Sequence, residues 1–391
     1  MKILQLGKFY PIKGGVEQVM YSLMLGLSRN HIRCDMMCAG ADHYSGIKQL
    51  NDNARLMCCK TWFRLASTMI SPQMVWELKK RCKEYEIIHI HYPDPMACLA
   101  LFLSGFKGKV VLHWHSDVLK QKTLLKLVTP LQNWLLTRAD LIVGTTPVYL
   151  QESPYLKQVQ HKTACLPIGI NSLKPSLEGV AEIKRRYHGR RIILSIGRLV
   201  EYKGFSYLID AARFLSDDYV VLIGGEGPLK EALERQITDQ QLSGKVKLLG
   251  HIAQKDLADY FGACQMYCLS SIYRTEAFAI VQVEAMSCGK PIVATVIEGS
   301  GVSWVNKAGY SGLNVKPCNS RELAGAIKRV CEDPYAYSQF CRQARLRFES
   351  CFEKEKMINE CMNLYGKLAK EEKEEKEVYQ ISMEKKYQTS F

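Results

Sequence analysis

The 391-residue sequence lacks an apolar run of about 18 residues, the length that a membrane-spanning helix needs. The N-terminal apolar stretch, MKILQLG, is too short for a signal peptide and is typical of a first strand. None of the 15 cysteines forms a CxxC pair, and Cys264 and Cys268 have no second ligand pair nearby, which disfavours a disulfide scaffold or a structural zinc site. We therefore expect reduced thiols, a cytoplasmic location and a chain that is soluble or peripheral on a membrane.

Acidic charge is scarce in the first half of the chain. Residues 1–190 contain 26 Lys and Arg against 13 Asp and Glu, whereas residues 191–391 contain 27 against 26, so +13 of the net +14 lies in the first half. Such a field attracts an anionic partner, which can be nucleic acid, an anionic membrane or a phosphorylated substrate. A surface that only maintains solubility is the alternative.

The fingerprint motifs of two other classes of protein are also absent. No GxGxxG follows a predicted strand, which argues against an NAD-dependent oxidoreductase. No helix-turn-helix, zinc-finger or RNP signature occurs, so we expect no nucleic-acid partner despite the positive charge.

Short β-branched runs alternate with helical patterns along the chain, which predicts parallel sheets in an α/β fold. A helix is predicted from Val16 to about Ser28, after the first strand. The predicted strands are Ile3–Gly7, Glu86–His91, Lys109–Trp114, Leu141–Gly144, Ile192–Ile196, Tyr219–Ile223, Val246–Leu249, Met266–Leu269 and Pro291–Thr295.

The alternation is interrupted by a polar stretch around Pro175, which predicts two doubly wound domains. We expect a first domain over 1–172, a linker over 173–190, a second domain over 191–351, a helix over 352–368 that packs back towards the first domain, and a charged tail over 369–391. The sequence leaves the oligomeric state open.

Ligands of such sheets bind beyond the carboxyl ends of the strands. After the strand at 266–269, Glu276 and Glu284 are eight residues apart, with an apolar helix beginning between them. At about 1.5 Å per helical residue they lie roughly 12 Å apart, too far for the carboxylate pair of a glycosidase. The spacing instead suits two ends of one extended ligand, with helix amides near Phe278 and Ile280 available to phosphate.

Other strand ends carry weaker signals. Arg198 and Lys203 lie five residues apart in a glycine-bearing loop and can clamp a diphosphate, although isolated cations are usually surface residues. Gly14-Gly15 opens a helix, where a close anion and a plain tight turn are equally good interpretations. His113 and His115 point the same way on a strand, but a zinc site needs a third ligand that is not obvious. A hydrogen-bonding or a buried, satisfied histidine is the better interpretation, and the same choice applies to His91.

Taken in order, these motifs resemble the metal-independent, retaining glycosyltransferases of the GT-B fold, family GT4. The resemblance covers about residues 1–365 and is carried by Gly14-Gly15, GRLVEYKG (197–204), IGGEGP (223–228), LLGHI (248–252) and Glu-x7-Glu at Glu276 and Glu284. It implies two doubly wound Rossmann-like domains whose parallel sheets face each other across a cleft.

The resemblance also implies roles for particular residues. Arg198 and Lys203 would neutralise the leaving diphosphate, Glu276 would contact the donor sugar, and Glu284 would hold the ribose hydroxyls. His115 would contact the donor sugar near the reacting carbon. Ala279 stands where the family often has glycine, so its methyl group could narrow the sugar pocket. The remaining donor-binding residues would be Gly14, Gly15, Gly197, Gly225, Gly250, His251, Ile252, Phe278, Ala279 and Ile280.

HWHSDVLKQK (113–122) and EGSGVSWVNKAGYSGLNV (298–315) look like a bacterial subgroup that builds surface polysaccharides such as O-antigen and capsule. That likeness favours a hexosyltransferase that moves α-mannose from GDP-mannose to a polyprenyl-diphosphate oligosaccharide, without a cofactor or metal. A UDP-sugar donor and, more distantly, a non-catalytic sugar-nucleotide-binding protein are the alternatives. The acceptor domain would meet the anionic membrane through Lys107, Lys109, Lys120, Lys122 and Lys126.

Overall fold

The computed structural model describes residues 1–12, 14–41, 44–65, 68–117 and 122–370, and the side chains of all of these except 122–127. They form two compact units. Unit 1 contains residues 1–144, 155–166 and 354–370, and unit 2 contains residues 145–154 and 167–353.

Unit 1 is built on one large sheet. Its strands are β1 (Lys2–Tyr10), β2 (Arg33–Gly40), β3 (Gly46–Asn51), β4 (Ala54–Lys60), β5 (Phe63–Leu65), β6 (Thr68–Ile70), β7 (Ile87–Tyr92), β8 (Lys109–Trp114), β9 (Leu141–Gly144) and β10 (Thr163–Cys165). Eight of them form a sheet in the order β10-β9-β8-β7-β1-β2-β4-β3, in which only the β3–β4 pair is antiparallel. The antiparallel hairpin of β5 and β6 is separate from it.

Helices surround this sheet. They are α1 (Gly15–Arg29), α2 (Pro72–Arg81), α3 (Pro95–Ser104), α4 (Lys122–Arg138) and a helix over 354–370, with short 3₁₀ helices at Cys82–Glu84 and Lys157–Lys162. The helix over 354–370 presents an apolar stripe, in which Met357, Ile358 and Tyr365 are buried. It lies so close to α1 that a Cβ on Gly26 would be 2.1 Å from Ile358 Cδ1.

Unit 2 is a second, smaller parallel sheet with helices. Its strands are β11 (Arg191–Ile196), β12 (Tyr219–Gly224), β13 (Val246–Gly250), β14 (Met266–Leu269), β15 (Ile292–Thr295) and β16 (Gly312–Val315), in the order β13-β12-β11-β14-β15-β16. Its helices are α5 (Pro147–Glu152), α6 (Leu177–Arg186), α7 (Phe205–Ala212), α8 (Lys230–Asp239), α9 (Gln254–Ala263), α10 (Ile280–Ser287), α11 (Val302–Val305), α12 (Ser320–Glu332) and α13 (Pro334–Cys351), with a 3₁₀ turn at Glu201–Lys203.

The predicted α/β class with parallel sheets is confirmed, and every predicted strand corresponds to one in the structure. Lys109–Trp114, Leu141–Gly144 and Met266–Leu269 agree at both ends. No helix within the described ranges is long and apolar enough to cross a membrane.

The domain boundaries differ from those expected. The stretch 173–190, expected as a linker, contains α6, and the Ser176 amide and hydroxyl bond the Asp259 carboxylate of α9 at 2.6 and 3.0 Å. Residues 145–154 belong to unit 2 rather than to the first domain. The C-terminal helix begins at 354 and continues to 370, within unit 1. Residues 371–391 of the expected tail lie outside the described residues.

Candidate functional site

The carboxyl ends of β13, β12, β11 and β14 are neighbours along one edge of the unit 2 sheet. The loops that follow these strands carry the residues that the sequence singled out: 197–204 after β11, 225–228 after β12, 251–253 after β13 and 270–279 after β14. Open α/β sheets bind their ligands at this edge, because helix amides and loop side chains converge there. The sheet order therefore brings together loops that begin at residue 197 and end at residue 279 of the chain.

Lys203 and Glu276 form a buried ion pair at this edge. Lys203 Nζ lies 2.6 Å from Glu276 Oε2, and the two side chains are 11% and 9% exposed. The Ser271 hydroxyl donates a second hydrogen bond to the same oxygen at 2.8 Å. Burial, the largest single effect, lowers the pKa of Lys203, but the Glu276 carboxylate and Tyr202 together outweigh it and the pKa is raised. The pair therefore holds one positive and one negative charge in a small volume.

Glycines allow Lys203 to reach this position. The 3₁₀ turn at Glu201–Lys203 ends at Gly204, which has φ 62° and lies so close to Ser270 that a Cβ would be 2.1 Å from its carbonyl oxygen. A Cβ on Gly197 would lie 3.0 Å from Lys203 Cε. A side chain at either position would displace the lysine or its loop.

Arg198 is exposed in the same loop. Its guanidinium has no hydrogen bond or ion-pair partner within the portion of the chain that the structure describes. An exposed guanidinium without a carboxylate partner remains available to a diphosphate, which it can bind through two parallel hydrogen bonds.

Close contacts among Gly197, Gly225 and Gly250 join the neighbouring loops. Gly225, at φ 132°, approaches Gly197 so closely that a Cβ would be 2.0 Å from the Gly197 oxygen, and its amide donates to the Gly250 oxygen at 2.7 Å. His251 is exposed beside them, and Ile252 packs against Gly224. These predicted donor-binding residues thus lie on adjacent loops.

Ala279 precedes the first turn of α10 with φ 60° and ψ 75°, in the left-handed region. This conformation explains why glycine suits the position, since an L side chain there is strained. Phe278 and Ala279 are buried, and Ile280 begins the helix. The first amides of α10 have no intrahelical acceptor, so they can donate to an anion.

Glu284 lies one turn further along α10. Burial raises the pKa of its carboxyl group to about 7, and the side chain has no hydrogen-bond or ion-pair partner among the described residues. A largely desolvated carboxylate without a partner is costly and is retained where a ligand satisfies it.

In unit 1, Gly14 caps the start of α1 in an extended conformation, and both Gly14 and Gly15 are exposed. A Cβ on Gly14 would lie 2.4 Å from Glu17 Oε2. The preceding residue, Lys13, lies outside the described residues. The amide-bearing start of α1 is therefore open, as the expected role requires.

Four buried histidines line one face of β7 and the neighbouring β8. His89 and His91 alternate along β7, His113 and His115 do so at β8, and the register pairs His91 with His113. His91 Nδ1 is 2.9 Å from His115 Nε2, and His91 Nε2 is 2.7 Å from Gln5 Oε1. The sequence singles out His91, His113 and His115, but not His89 or Gln5. The repeated HIH and HWH could have indicated a cluster, because i and i+2 share a face and parallel strands pair.

The expected basic surface is only partly described. Lys107 is exposed, whereas Lys109 lies 3.5 Å from Asp140 and is half-buried. Lys120 lies outside the described residues, and so do the side chains of Lys122 and Lys126.

Comparison with known proteins identifies the family. A family model described as glycosyl transferases group 1 matches residues 180–347, and one described as Glycosyltransferase Family 4 matches residues 13–171. The chain is a glycosyltransferase of this family. It is 32% identical to O-antigen chain mannosyltransferase C of Escherichia coli over 94% of this chain and 99% of that protein. It is 29% identical to D-rhamnosyltransferase WbpZ of Pseudomonas aeruginosa, over 90% and 92% of the two chains.

Solved structures agree on the fold of this glycosyltransferase. Anabaena Alr3699/HepE in complex with UDP superposes with a TM-score of 0.76 at 20% identity, covering 94% of this chain and 100% of that one. Sucrose-phosphate synthase from Thermosynechococcus elongatus gives 0.76 at 21% identity, covering 94% and 99%. The expected GT-B fold is confirmed.

In this glycosyltransferase, His89, His91 and His113 are the described side chains that could hold a metal ion, since one nitrogen of each lies within 4.8 Å of the others. This set contains His113 but not His115, so it does not complete the His113–His115 pair that the sequence singles out. Both nitrogens of His91 are already hydrogen-bonded, however, and the charged side chain that acts on it is the cationic Lys8. In contrast, both nitrogens of His113 and Nε2 of His89 are buried without a hydrogen-bond partner among the described residues.

Proposed function

We propose that this glycosyltransferase moves an α-mannosyl group from GDP-mannose to a polyprenyl-diphosphate-linked oligosaccharide, with retention of configuration, in the synthesis of a bacterial O-antigen. The likeness to the Escherichia coli O-antigen chain mannosyltransferase supports mannose as the sugar and O-antigen as the polysaccharide. One observation above all supports the binding of a nucleotide-sugar diphosphate. This is the buried Lys203–Glu276 ion pair at the carboxyl-end edge of the unit 2 sheet, in the loops that also carry Arg198.

In this proposal, Arg198 and Lys203 neutralise the diphosphate as negative charge develops on it. Such charge stabilisation is usually the largest contribution to catalysis, and it is strongest where water is excluded, as around Lys203. Because two side-chain cations supply the charge, the reaction needs no metal ion. Glu284 accepts hydrogen bonds from the ribose hydroxyls at the other end of the donor.

Retention follows from a displacement on one face of the sugar. Glu276 is engaged by Lys203 and Ser271, which makes it a poor nucleophile. The acceptor hydroxyl oxygen then bonds to the anomeric carbon on the side from which the diphosphate departs. The bond from that carbon to the diphosphate oxygen breaks, and the hydroxyl proton passes to the leaving diphosphate.

An exposed apolar patch on unit 1 supports a membrane location for the acceptor. The patch contains the β5–β6 hairpin and neighbouring side chains of α2 and α3, and Trp62 and Trp76 are 69% and 59% exposed. The exposed Lys79 and Lys80 lie on α2, and Lys80 Nζ lies 5.0 Å from the centre of the Trp76 ring. Its members are Trp62, Phe63, Leu65, Trp76, Leu99, Phe102 and Leu103. Apolar side chains flanked by lysine suit the interface of an anionic bilayer on the inner face of the plasma membrane.

The donor is tested by thermal shift of the full chain with GDP, GDP-mannose, UDP, UDP-glucose, UDP-N-acetylglucosamine and NAD. A ligand at 100 times its dissociation constant should add about 2.7 kcal/mol of stability. We expect GDP and GDP-mannose to raise the melting temperature, and Arg198→Gln to abolish the shift while the exposed Arg235→Gln on α8 preserves it. A rise in melting temperature with the UDP compounds alone would rule out GDP-mannose as the donor.

The reaction is tested with a lipid-linked acceptor after treatment with EDTA. The expected product carries an α-linked mannose by NMR, at a rate that the chelator leaves unchanged. A β-linked product would contradict retention, and loss of activity that is restored by added metal would contradict metal independence.

A further inference from the structure

Two cysteine thiols face each other in the sheet of unit 1. Cys38 on β2 and Cys58 on β4 are paired by the parallel register, and their sulfur atoms lie 3.9 Å apart. Paired residues share a face of the sheet, and neighbouring strands are about 4.8 Å apart. This spacing falls within the range of roughly 4.4–6.8 Å that the α-carbons of a disulfide require. A small approach of the two sulfur atoms would therefore be enough to join them.

The adjacent Cys59 is not part of this pair. Successive side chains of a strand point to opposite faces, so Cys59 lies on the other side of β4 from Cys58. On that side Glu77 and Arg81 of α2 act on its thiol. Burial is the main reason that the pKa of Cys59 is raised to about 12, so this thiol stays protonated. The sequence places Cys58 next to Cys59, whereas the sheet brings it to a residue 20 positions away.

The two thiols of the pair differ in acidity. The hydrogen bond between the sulfur atoms lowers the pKa of Cys58, although burial opposes it. The same hydrogen bond, together with burial, raises the pKa of the fully buried Cys38 well above its ordinary value. Cys58 therefore ionises first, while Cys38 retains its proton and donates it to the Cys58 sulfur. Because the thiolate is the nucleophilic form of cysteine, Cys58 is the sulfur that attacks an oxidant.

The face of β4 that carries Cys58 is open to small molecules. Across from Cys58 the edge strand β3 supplies Gly46, which has no side chain. A Cβ on Gly46 would have no described atom within 4 Å. Residues 46–49 of β3 are exposed, and an edge strand with few buried contacts opens more easily than the interior of a sheet. A molecule as small as hydrogen peroxide can thus reach Cys58, which is 6% exposed.

We propose that Cys38 and Cys58 form a reversible redox site, which a peroxide oxidises to an intramolecular disulfide. The Cys58 thiolate bonds to one peroxide oxygen and the O–O bond breaks, which leaves a sulfenic acid on Cys58. The departing hydroxide takes up the proton that Cys58 had released.

The second step closes the disulfide. The Cys38 sulfur bonds to the Cys58 sulfur as the S–O bond breaks, and the departing hydroxide takes up the Cys38 proton to give water. Two thiols thus lose two electrons and two protons, and hydrogen peroxide becomes two molecules of water. A dithiol reductant reverses the reaction by thiol–disulfide exchange. The bond would tie β4, which holds the edge strand, to the interior of the sheet.

The disulfide is tested by peptide mapping of the full chain. The folded protein is exposed briefly to hydrogen peroxide, its free thiols are blocked with iodoacetamide in urea, and it is digested with trypsin. Trypsin separates the two cysteines, because Cys38 lies in the peptide 34–48 and Cys58 in the peptide 56–60. We expect these peptides to be joined, with fragment ions that assign the bond to Cys38 and Cys58, and to separate after treatment with dithiothreitol. Oxidation that stops at a sulfinic acid, free thiols at both positions, or a bond to any other cysteine would overturn the proposal.

The same two peptides supply matched controls, because each contains a second cysteine. Cys34→Ala and Cys59→Ala should leave the cross-link in place, whereas Cys38→Ala and Cys58→Ala should abolish it. A cross-link that persists in either of the last two variants would contradict the assignment. The mapping of the wild type already assigns the bond without any substitution, so a variant that fails to fold leaves the test intact.

Cys38→Ser separates the two steps of the oxidation. The serine hydroxyl can still donate a hydrogen bond to the Cys58 sulfur, but it cannot form a disulfide. Dimedone, which reacts with sulfenic acids, should label Cys58 in this variant at least tenfold more than it labels Cys38 in Cys58→Ser. Equal labelling of the two would show that neither thiol is the preferred nucleophile and would contradict the role assigned to Cys58.

Discussion

Lys203 Nζ lies 2.6 Å from Glu276 Oε2, so two residues 73 positions apart form a buried ion pair between the loops that follow β11 and β14. The pair contributes to the candidate site in two ways, to the stability of the free protein and to the binding of the donor. Each charge stabilises the other in the free protein, and Lys203 can exchange part of that interaction for a diphosphate when the donor binds. Stability and activity should therefore respond differently to removal of the two charges.

Lys203→Met and Glu276→Gln should each lower the free energy of unfolding by about 3 kcal/mol, because each leaves one buried charge without its partner. The double variant should lose clearly less than the sum, since no unpaired charge remains. All three proteins should lose transferase activity. Urea denaturation measures the first effect and product formation the second.

The exposed pair of Arg186 and Glu182 on α6, 2.7 Å apart, is the control. Its disruption by Arg186→Met should cost no more than about 0.5 kcal/mol and leave activity unchanged. Additive losses at Lys203 and Glu276, or an active double variant, would contradict the roles assigned to the pair.

Glu284 should make stability depend on pH. Burial raises the pKa of its carboxyl group from 4.5 to about 7. The folded protein thus keeps a proton that the unfolded chain releases between these values, so stability falls as the pH rises from 4.5 to 7. Above pH 7 the total loss levels off at roughly 3.4 kcal/mol. Glu284→Gln should be more stable than the wild type at pH 8 and similar to it at pH 4.5, by urea denaturation at each pH.

The same group should couple donor binding to pH. Hydroxyl groups that donate to Glu284 favour its ionised form, so the affinity for the nucleotide should increase as the pH rises through 7. Calorimetry at pH 6 and pH 8 measures the change, which should disappear in Glu284→Gln. A wild-type affinity that does not vary with pH would argue against a contact between Glu284 and the ligand.

Ala279 should accept glycine without loss. Its left-handed backbone conformation costs an L residue about 1 kcal/mol, and Ala279→Gly removes this strain from the folded state. The gain in stability is partly cancelled because glycine also makes the unfolded chain more flexible. We expect unchanged or slightly raised stability, whereas Ala181→Gly on the exposed face of α6 should lose about 1 kcal/mol. Ala279→Val should be destabilising, because β-branched residues strongly disfavour positive φ. A melting temperature that falls equally in both glycine variants would contradict strain at Ala279.

The apolar patch should bind membranes. Trp62→Ser combined with Phe63→Ser should weaken binding to vesicles that contain anionic lipid about tenfold, or 1.4 kcal/mol, as measured by co-sedimentation. The control is Tyr335→Ser, which removes an aromatic side chain of unit 2 that is 76% exposed and should leave vesicle binding unchanged. Lys79→Glu with Lys80→Glu should weaken binding to anionic vesicles and leave binding to neutral ones unchanged. Binding that none of these changes affects would remove the support for a membrane location.

Sequence patterns alone determined the parallel α/β architecture and most of the candidate site. Buried parallel strands read as β-branched runs, and IILSI and YVVLI are such runs at β11 and β12. The site residues lie at strand ends, where glycine and charged residues stand out against apolar surroundings. Arg198, Lys203, Glu276 and Glu284 were therefore recognisable without coordinates.

Tertiary structure decided the remainder. The strand β2, RCDMMCAG, lacks β-branched residues and becomes a strand because it is buried between β1 and β4. The positive φ of Ala279 follows from how the loop enters α10. The hydrogen bond between Gln5 and Tyr365 joins residues 360 positions apart, and no local pattern encodes such a contact. Local propensities act over a few residues, whereas packing brings distant polar groups together because each buried donor and acceptor must find a partner.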